Sequence, residues 1–206
     1  MTRAVFLDRD GVLIRTFVRQ GVPHPPQTLD QVEVLPGVAH ALHMLRVEGF
    51  ELVVVTNQPD VARGTQTRGA VEAINAELGR QLPLDEICVC YHDTADRCAC
   101  RKPAPGMLLA AAQRRGIDLA SSFMVGDRGS DIAAGTAAGC ASFLIQTPYS
   151  KCDKVKPHAL ATDLADVARQ ILSFPRLPEQ RSQESSCPAC LPFESRFSPM
   201  APTFRA

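Results

Sequence analysis

The chain lacks an excess of charge of either sign: its 206 residues carry 22 Lys plus Arg against 22 Asp plus Glu, a formal net charge of zero. No basic surplus argues for nucleic acid, and no polybasic segment argues for a membrane surface. No apolar run approaches the roughly 20 residues that a membrane span requires. The first expected strand begins so close to Met1 that no signal peptide fits before it. These absences lead to the expectation of a cytoplasmic monomer whose partner is a small molecule, with neither nucleic acid nor membrane involved. The length suits one well-buried domain and hardly two.

Cysteine, in contrast, is plentiful, with eight in the chain. Four fall between Cys88 and Cys100, Cys140 and Cys152 are scattered, and Cys187-Pro-Ala-Cys190 lies near the C-terminus. Where thiols stay reduced, clustered cysteines bind metal more often than they form disulfides.

The stretch Val5-Phe6-Leu7-Asp8-Arg9-Asp10-Gly11 organises the rest. A continuous apolar run bounded by a turn residue reads as a strand buried on both faces of a parallel sheet. Continued extension through Asp10 would send Asp8 and Asp10 to the same side. Two carboxylates held together repel unless a cation lies between them or one carries a proton.

Downstream, a loop with Pro23, Pro25 and Pro26 leads to a helix over residues 38–48, with Val38, Leu42 and Leu45 on its apolar face. Residues 51–55 form a second buried strand, ending at Thr56-Asn57-Gln58. Thr67 caps a helix with Val71, Ile74, Leu78 and Leu82 inward. Residues 87–90 form a third strand, followed by a polar loop to Pro103 and a helix that starts at Pro105 and stops at Gly116. Residues 123–126 give a fourth strand ending at Asp127, then a short helix to Gly139, a fifth strand over 141–145 and a last helix capped by Thr162 or Asp163. Alternating strands and helices imply a parallel α/β sheet with helices on both faces, whose ligands bind beyond the carboxyl ends of the strands. Asp8, Thr56, Cys90 and Asp127 each end a different strand and so collect at one edge. Residues 1–172 are expected to form this domain. Residues 173–206, proline- and serine-rich without period, are expected to be a disordered tail.

Each cluster supports a particular chemistry. Asp8, Asp10 and Asp127 offer hard oxygen ligands to a Mg2+ that also binds a substrate phosphate. One carboxylate is then free to attack phosphorus, and a second can protonate the leaving oxygen and activate water. Thr56 and Lys102 supply a hydroxyl and a cation for the phosphoryl oxygens. Cys90-x-His92 and Cys98-x-Cys100 give three thiolates and one imidazole, a closed tetrahedral zinc set that would order a loop with little apolar content. Asp131 either caps the helix after Asp127 or supports the metal there. A phosphate-binding module without turnover, and a redox role for the cysteine loop, are the readings from other classes.

Taken together, Asp8-Arg9-Asp10-Gly11, Thr56-Asn57-Gln58, the Cys-x-His and Cys-x-Cys pairs, Cys100-Arg101-Lys102-Pro103 and Gly126-Asp127 resemble the haloacid dehalogenase (HAD) superfamily. Within it the chain is similar to the D-x-D phosphatases that act on heptose 1,7-bisphosphate or histidinol phosphate. The resemblance implies a three-layer α/β sandwich with a five- to six-stranded parallel sheet, little or no cap domain and a zinc loop beside the site. It implies Asp8 as nucleophile and Asp10 as general acid/base, with Mg2+ on Asp8, the Asp10 carbonyl and Asp127. Thr56 and Lys102 would contact the phosphoryl group, while Asn57, Gln58, Arg101 and Arg128 would border the substrate. Pro59-Asp60, Tyr91, Asp93 and Arg128 depart from the pattern usual in the heptose enzymes.

Overall fold

The computed structural model describes residues 2–150 and 155–174. In chain order these form β1 (Arg3–Leu7), β2 (Phe17–Arg19), β3 (Val22–His24), α1 (Val38–Val47), β4 (Phe50–Asn57), α2 (Arg68–Gln81) and β5 (Glu86–Cys90). There follow α3 (Gly106–Arg115), β6 (Phe123–Gly126), α4 (Gly129–Ala138), β7 (Ala141–Ile145), β8 (Ala159–Ala161) and α5 (Leu164–Ser173). Six strands make one sheet in the order β5-β4-β1-β6-β7-β8, every neighbouring pair parallel.

The period of two along a strand explains the layers. Val5, Leu7, Leu52, Val54, Phe123 and Val125 face one side, where α1, α2 and α5 cover them. Ala4, Phe6, Val53, Val55 and Met124 face the other, packed by Met107, Leu108 and Ala111 of α3 and Ala134 of α4. Both sides of the central strands are therefore core, which is why they read as unbroken apolar runs. Helix starts follow local chemistry: the Thr67 hydroxyl accepts the Ala70 amide at 3.1 Å, and the Asp163 carboxylate accepts that of Asp166 at 2.7 Å. Each such cap contributes about 1 kcal/mol.

Strand order locates the functional edge. From β1 the chain builds β4 and β5 on one side, then crosses to lay β6, β7 and β8 on the other. Such a reversal opens a crevice at the carboxyl ends of the central strands. Leu7, the last residue of β1, lies opposite Val54 of β4 and Val125 of β6, so Asp8 enters that crevice.

Two elements go beyond the sequence expectation. Part of the loop after Gly11 is an antiparallel hairpin, β2 with β3, and the sixth parallel strand, within the five to six implied by the family resemblance but not located along the chain, is β8 before α5. All three strands have only three residues, and Pro23 sits inside one of them, so no period of two could mark them. Cys88 is half-buried on the edge strand β5. Helix α5 runs to Ser173, and Phe174 packs on the core beyond the boundary expected at 172. The tail from residue 175, with Cys187 and Cys190, lies outside the described residues, as does Cys152. Among the described residues no helix is long and apolar enough to cross a membrane.

Phe123 joins these layers through edge-to-face contacts with Phe50, Phe143 and Phe174 at centroid distances of 5.8, 5.8 and 5.3 Å. Phe123→Ala is expected to lower unfolding free energy by about 3–5 kcal/mol, read as a lower urea midpoint at unchanged slope. An unchanged midpoint would show that the ring cluster does not support the sheet.

Candidate active site

Asp8 is the first residue past β1, and its amide still bonds the Val125 carbonyl at 2.9 Å, so the strand pair sets its position. Its Oδ1 accepts the Arg9 amide at 2.8 Å and the Lys102 ammonium at 2.9 Å. Lys102 Nζ also donates to the Val55 carbonyl at 2.7 Å and pairs with Asp131 Oδ1 at 2.7 Å. Asn57 clamps the Lys102 backbone, donating to its carbonyl at 3.0 Å and accepting its amide at 3.1 Å. Asp131 also caps α4, its Oδ2 accepting the Arg128 amide at 3.0 Å.

Asp127, directly after β6, is fully buried, and neither carboxylate oxygen has a hydrogen-bond partner. The nearby Tyr149 hydroxyl shares its hydrogen bond with Thr16 at 2.8 Å. Burial, reinforced by the charges of Asp8 and Asp131, pushes the Asp127 carboxyl up to about 8. Burial also raises Asp131, against the pull of Lys102. For Lys102 burial alone would favour the neutral amine, but Asp131 and Asp8 outweigh it and the ammonium is held above its ordinary range. Three carboxylates thus face one ammonium, and Asp8, Asp127 and Asp131 each offer an oxygen within 4.8 Å of the others. A buried carboxylate that accepts no hydrogen bond, among like charges, fits the donor set of a hard divalent cation.

Gly11 makes room for this arrangement. It has a φ of +88°, and a Cβ there would lie 2.2 Å from Asp127 Oδ2 and 2.8 Å from the Tyr149 hydroxyl. Sterics and backbone both demand glycine.

The Asp10 carboxylate is not in the three-carboxylate group. It accepts from Gln58 Nε2 at 2.8 Å and pairs with the Arg9 guanidinium at 3.1 Å. The same Gln58 amide donates to Thr56 Oγ1 at 2.9 Å, which leaves the Thr56 hydroxyl proton free for an acceptor. Thr56 and Gln58 are both buried.

The cysteine loop also converges. Cys90 Sγ lies 3.7 Å from Cys98 Sγ and 3.3 Å from Cys100 Sγ, and Cys98 and Cys100 are 3.3 Å apart. His92 Nδ1 is 3.3 Å from Cys100 Sγ and 3.7 Å from Cys90 Sγ. A tetrahedral centre with Zn–S bonds of about 2.3 Å holds its sulfurs roughly 3.7 Å apart, so the four atoms fit one. Burial pushes the Cys90 thiol up to about 12. For Cys98, hydrogen bonds from Cys100 and the backbone overcome burial and bring it down to about 7. Asp93 and Asp96 cap the short turn inside this loop, and Arg63 holds Asp93 with two bonds of 2.7 and 2.8 Å. That pairing brings the Asp93 carboxyl down to about 2.

A cavity of about 590 Å3 opens above the carboxylates. Asp8, Asp10 and Lys102 form its floor, with Arg63, Arg97, Arg101 and Arg128 around the walls. Arg101 is tied to the zinc-type loop through the His92 carbonyl at 3.2 Å, and Arg128 lies 3.8 Å from Asp127 Oδ1.

Comparison with known proteins agrees with this arrangement. Residues 99–167 match the HAD-hydrolase-like family (Hydrolase_like). The chain is 36% identical over 180 residues to D-glycero-beta-D-manno-heptose-1,7-bisphosphate 7-phosphatase of Bordetella bronchiseptica, covering 82% of this chain and 98% of that protein. The chain belongs to the HAD-like phosphatases. It is 40% identical over 147 residues to the Escherichia coli K12 protein of the same name, covering 66% of this chain and 74% of that one. A crystal structure of D,D-heptose 1,7-bisphosphate phosphatase from B. bronchiseptica, complexed with magnesium and phosphate, superposes with a TM-score of 0.71 at 34% identity, covering 83% of this chain and 98% of that one.

Sequence reading of this HAD-like phosphatase did not assign roles to Arg9, Asn75, Tyr149 or His24. Arg9 is wholly buried against Asp10, and His24 lines the cavity from the β2–β3 hairpin. An arginine between two aspartates was the available signal for the first, while nothing local marks His24. Lys102→Met removes the only ammonium from a buried acidic cluster. In metal-free buffer it is expected to cost about 3–5 kcal/mol of stability by denaturant melt. A loss below about 1 kcal/mol would mean that Asp8 and Asp131 do not depend on Lys102.

Proposed function

We propose that this phosphatase removes the 7-phosphate of a heptose 1,7-bisphosphate through a phosphoaspartyl intermediate on Asp8. The observation that carries the reading is the Asp8–Lys102–Asp131 chain at the floor of the cavity, beside an Asp127 carboxylate that accepts no hydrogen bond. The names of the relatives support the choice of sugar.

Asp8 and Asp127, with the Asp10 carbonyl, are the proposed ligands of Mg2+, and the magnesium in the similar crystal structure supports that choice. When bound, the ion neutralises phosphoryl charge and the repulsion among the carboxylates. Lys102 and the Arg9 amide both bond Asp8 Oδ1, which leaves Oδ2 to attack phosphorus. Asp10 gives a proton to the departing sugar oxygen, then accepts one from the water that hydrolyses the phosphoaspartate. The Thr56 hydroxyl, oriented by Gln58, and Lys102 donate to the phosphoryl oxygens. Asn57 acts by fixing the Lys102 backbone, and Arg101 and Arg128 border the sugar.

For Cys90, His92, Cys98 and Cys100 we propose structural zinc: three thiolates and one imidazole fill a tetrahedron and leave no position for substrate. Every residue invoked comes from one chain, so a monomer suffices. The free thiols suit a reducing compartment such as the cytoplasm, where a sugar phosphate of carbohydrate metabolism would be met.

Purified protein with magnesium should release one equivalent of phosphate from heptose 1,7-bisphosphate, and Asp8→Asn should lower kcat by about 10^4-fold or more. Faster release from histidinol phosphate in the same panel would overturn the substrate assignment. Elemental analysis should find one zinc per chain, and stripping it should lower Tm; full stability without zinc would remove the structural role.

A further inference from the structure

We infer that Arg9 and Asn75 form a relay from helix α2 that orients the Asp10 carboxylate, so that both are positioning residues for proton transfer at the active site. The inference rests on the roles proposed above for Asp8 and Asp10.

Arg9 is the largest fully buried side chain among the described residues, at 0% exposure. It never enters the cavity, although it stands between two residues that do. Its guanidinium turns back on Asp10, with Nε 3.3 Å from Oδ1 and 3.2 Å from Oδ2, and Nη2 3.2 Å from Oδ1. Its other end is fixed from the opposite direction, Nη1 donating to Asn75 Oδ1 at 2.8 Å. Asn75 is the single polar residue among the buried positions of α2, which are otherwise Val71, Ile74 and Leu78.

A buried guanidinium is a poor way to gain stability, because desolvation offsets most of its pairing energy and an apolar side chain of similar volume does as well. Its geometry does suit orientation. A planar fork touching both carboxylate oxygens, anchored at its far nitrogen, restrains the rotation of the Asp10 carboxylate about its own axis. Gln58 alone, bonded to Oδ2, would not.

The chemistry makes that orientation matter in one place. As Asp8 Oδ2 bonds to phosphorus, the bond from phosphorus to the leaving oxygen breaks and its electron pair stays on that oxygen. The proton of the Asp10 carboxyl neutralises it. Water then attacks phosphorus, gives its proton to the Asp10 carboxylate, and the bond from phosphorus to Asp8 breaks to release phosphate. An alkoxide leaving group needs the first proton, whereas p-nitrophenolate is stable enough to depart without it.

Single-turnover release, with enzyme in excess over substrate and magnesium present, isolates that step. In Arg9→Met, release from an alkyl ester such as glycerol phosphate is expected to slow by about 10^2-fold, and in Asn75→Ala by about 10-fold. In both, p-nitrophenolate release from p-nitrophenyl phosphate should stay within about 3-fold of wild type. A role in stability alone would reduce the active fraction and lower both substrates together, and that result, or no change in either, overturns the relay. Asn75→Ala leaves the residues that touch the substrate in place and so answers the question even if Arg9→Met fails to fold. If Asp8→Asn releases p-nitrophenolate as fast as wild type, the roles of Asp8 and Asp10 themselves are wrong and the relay falls with them.

Discussion

A surplus of buried negative charge at the end of β1 governs the rest of the molecule. Asp8, Asp127 and Asp131 converge on one ammonium, that of Lys102, and the Asp127 carboxylate accepts no hydrogen bond. Such an arrangement is unfavourable for an empty fold and favourable for one that receives a cation and a phosphoryl group. The packing around it prevents relief by movement. Val55 holds the lysine through its carbonyl, Asn57 holds the lysine's backbone, and Gly11 lets the turn pass within contact of Asp127.

That charge cluster is produced by the sheet. Parallel strands with apolar residues on both faces put their carboxyl ends at one edge, and the change of direction at β1 opens the crevice. The register that sets Leu7 against Val54 and Val125 brings Asp8 between β4 and β6. The zinc-type loop leaves β5, next to β4, and is tied back by Arg63 to the segment that follows β4. A wall of the cavity is therefore built from residues with little apolar content, ordered by polar links.

Much of the site was legible because its signals are local. An apolar run ending in Asp-x-Asp-Gly, a strand ending in Thr, and cysteines at fixed spacing all appear within about ten residues. The weaker parts had no such signature. Strands β2, β3 and β8 are too short to show alternation, Phe174 lies past the last helical turn, and nothing near Asp131 in the chain marks the ion pair it makes with Lys102.

The order of residues along the chain by itself determined which groups are available: the hard oxygen donors, the thiolates with their imidazole, and the strands that end in them. Those follow from covalent spacing and from the period of the backbone. Only the tertiary structure decided which atoms meet. Lys102 reaches Asp8 across 94 positions, and Arg9 reaches Asn75 across 66. Both meetings follow from the order in which the strands pair and from the helix laid over them, and strand order is a property of the assembled sheet that no local pattern encodes.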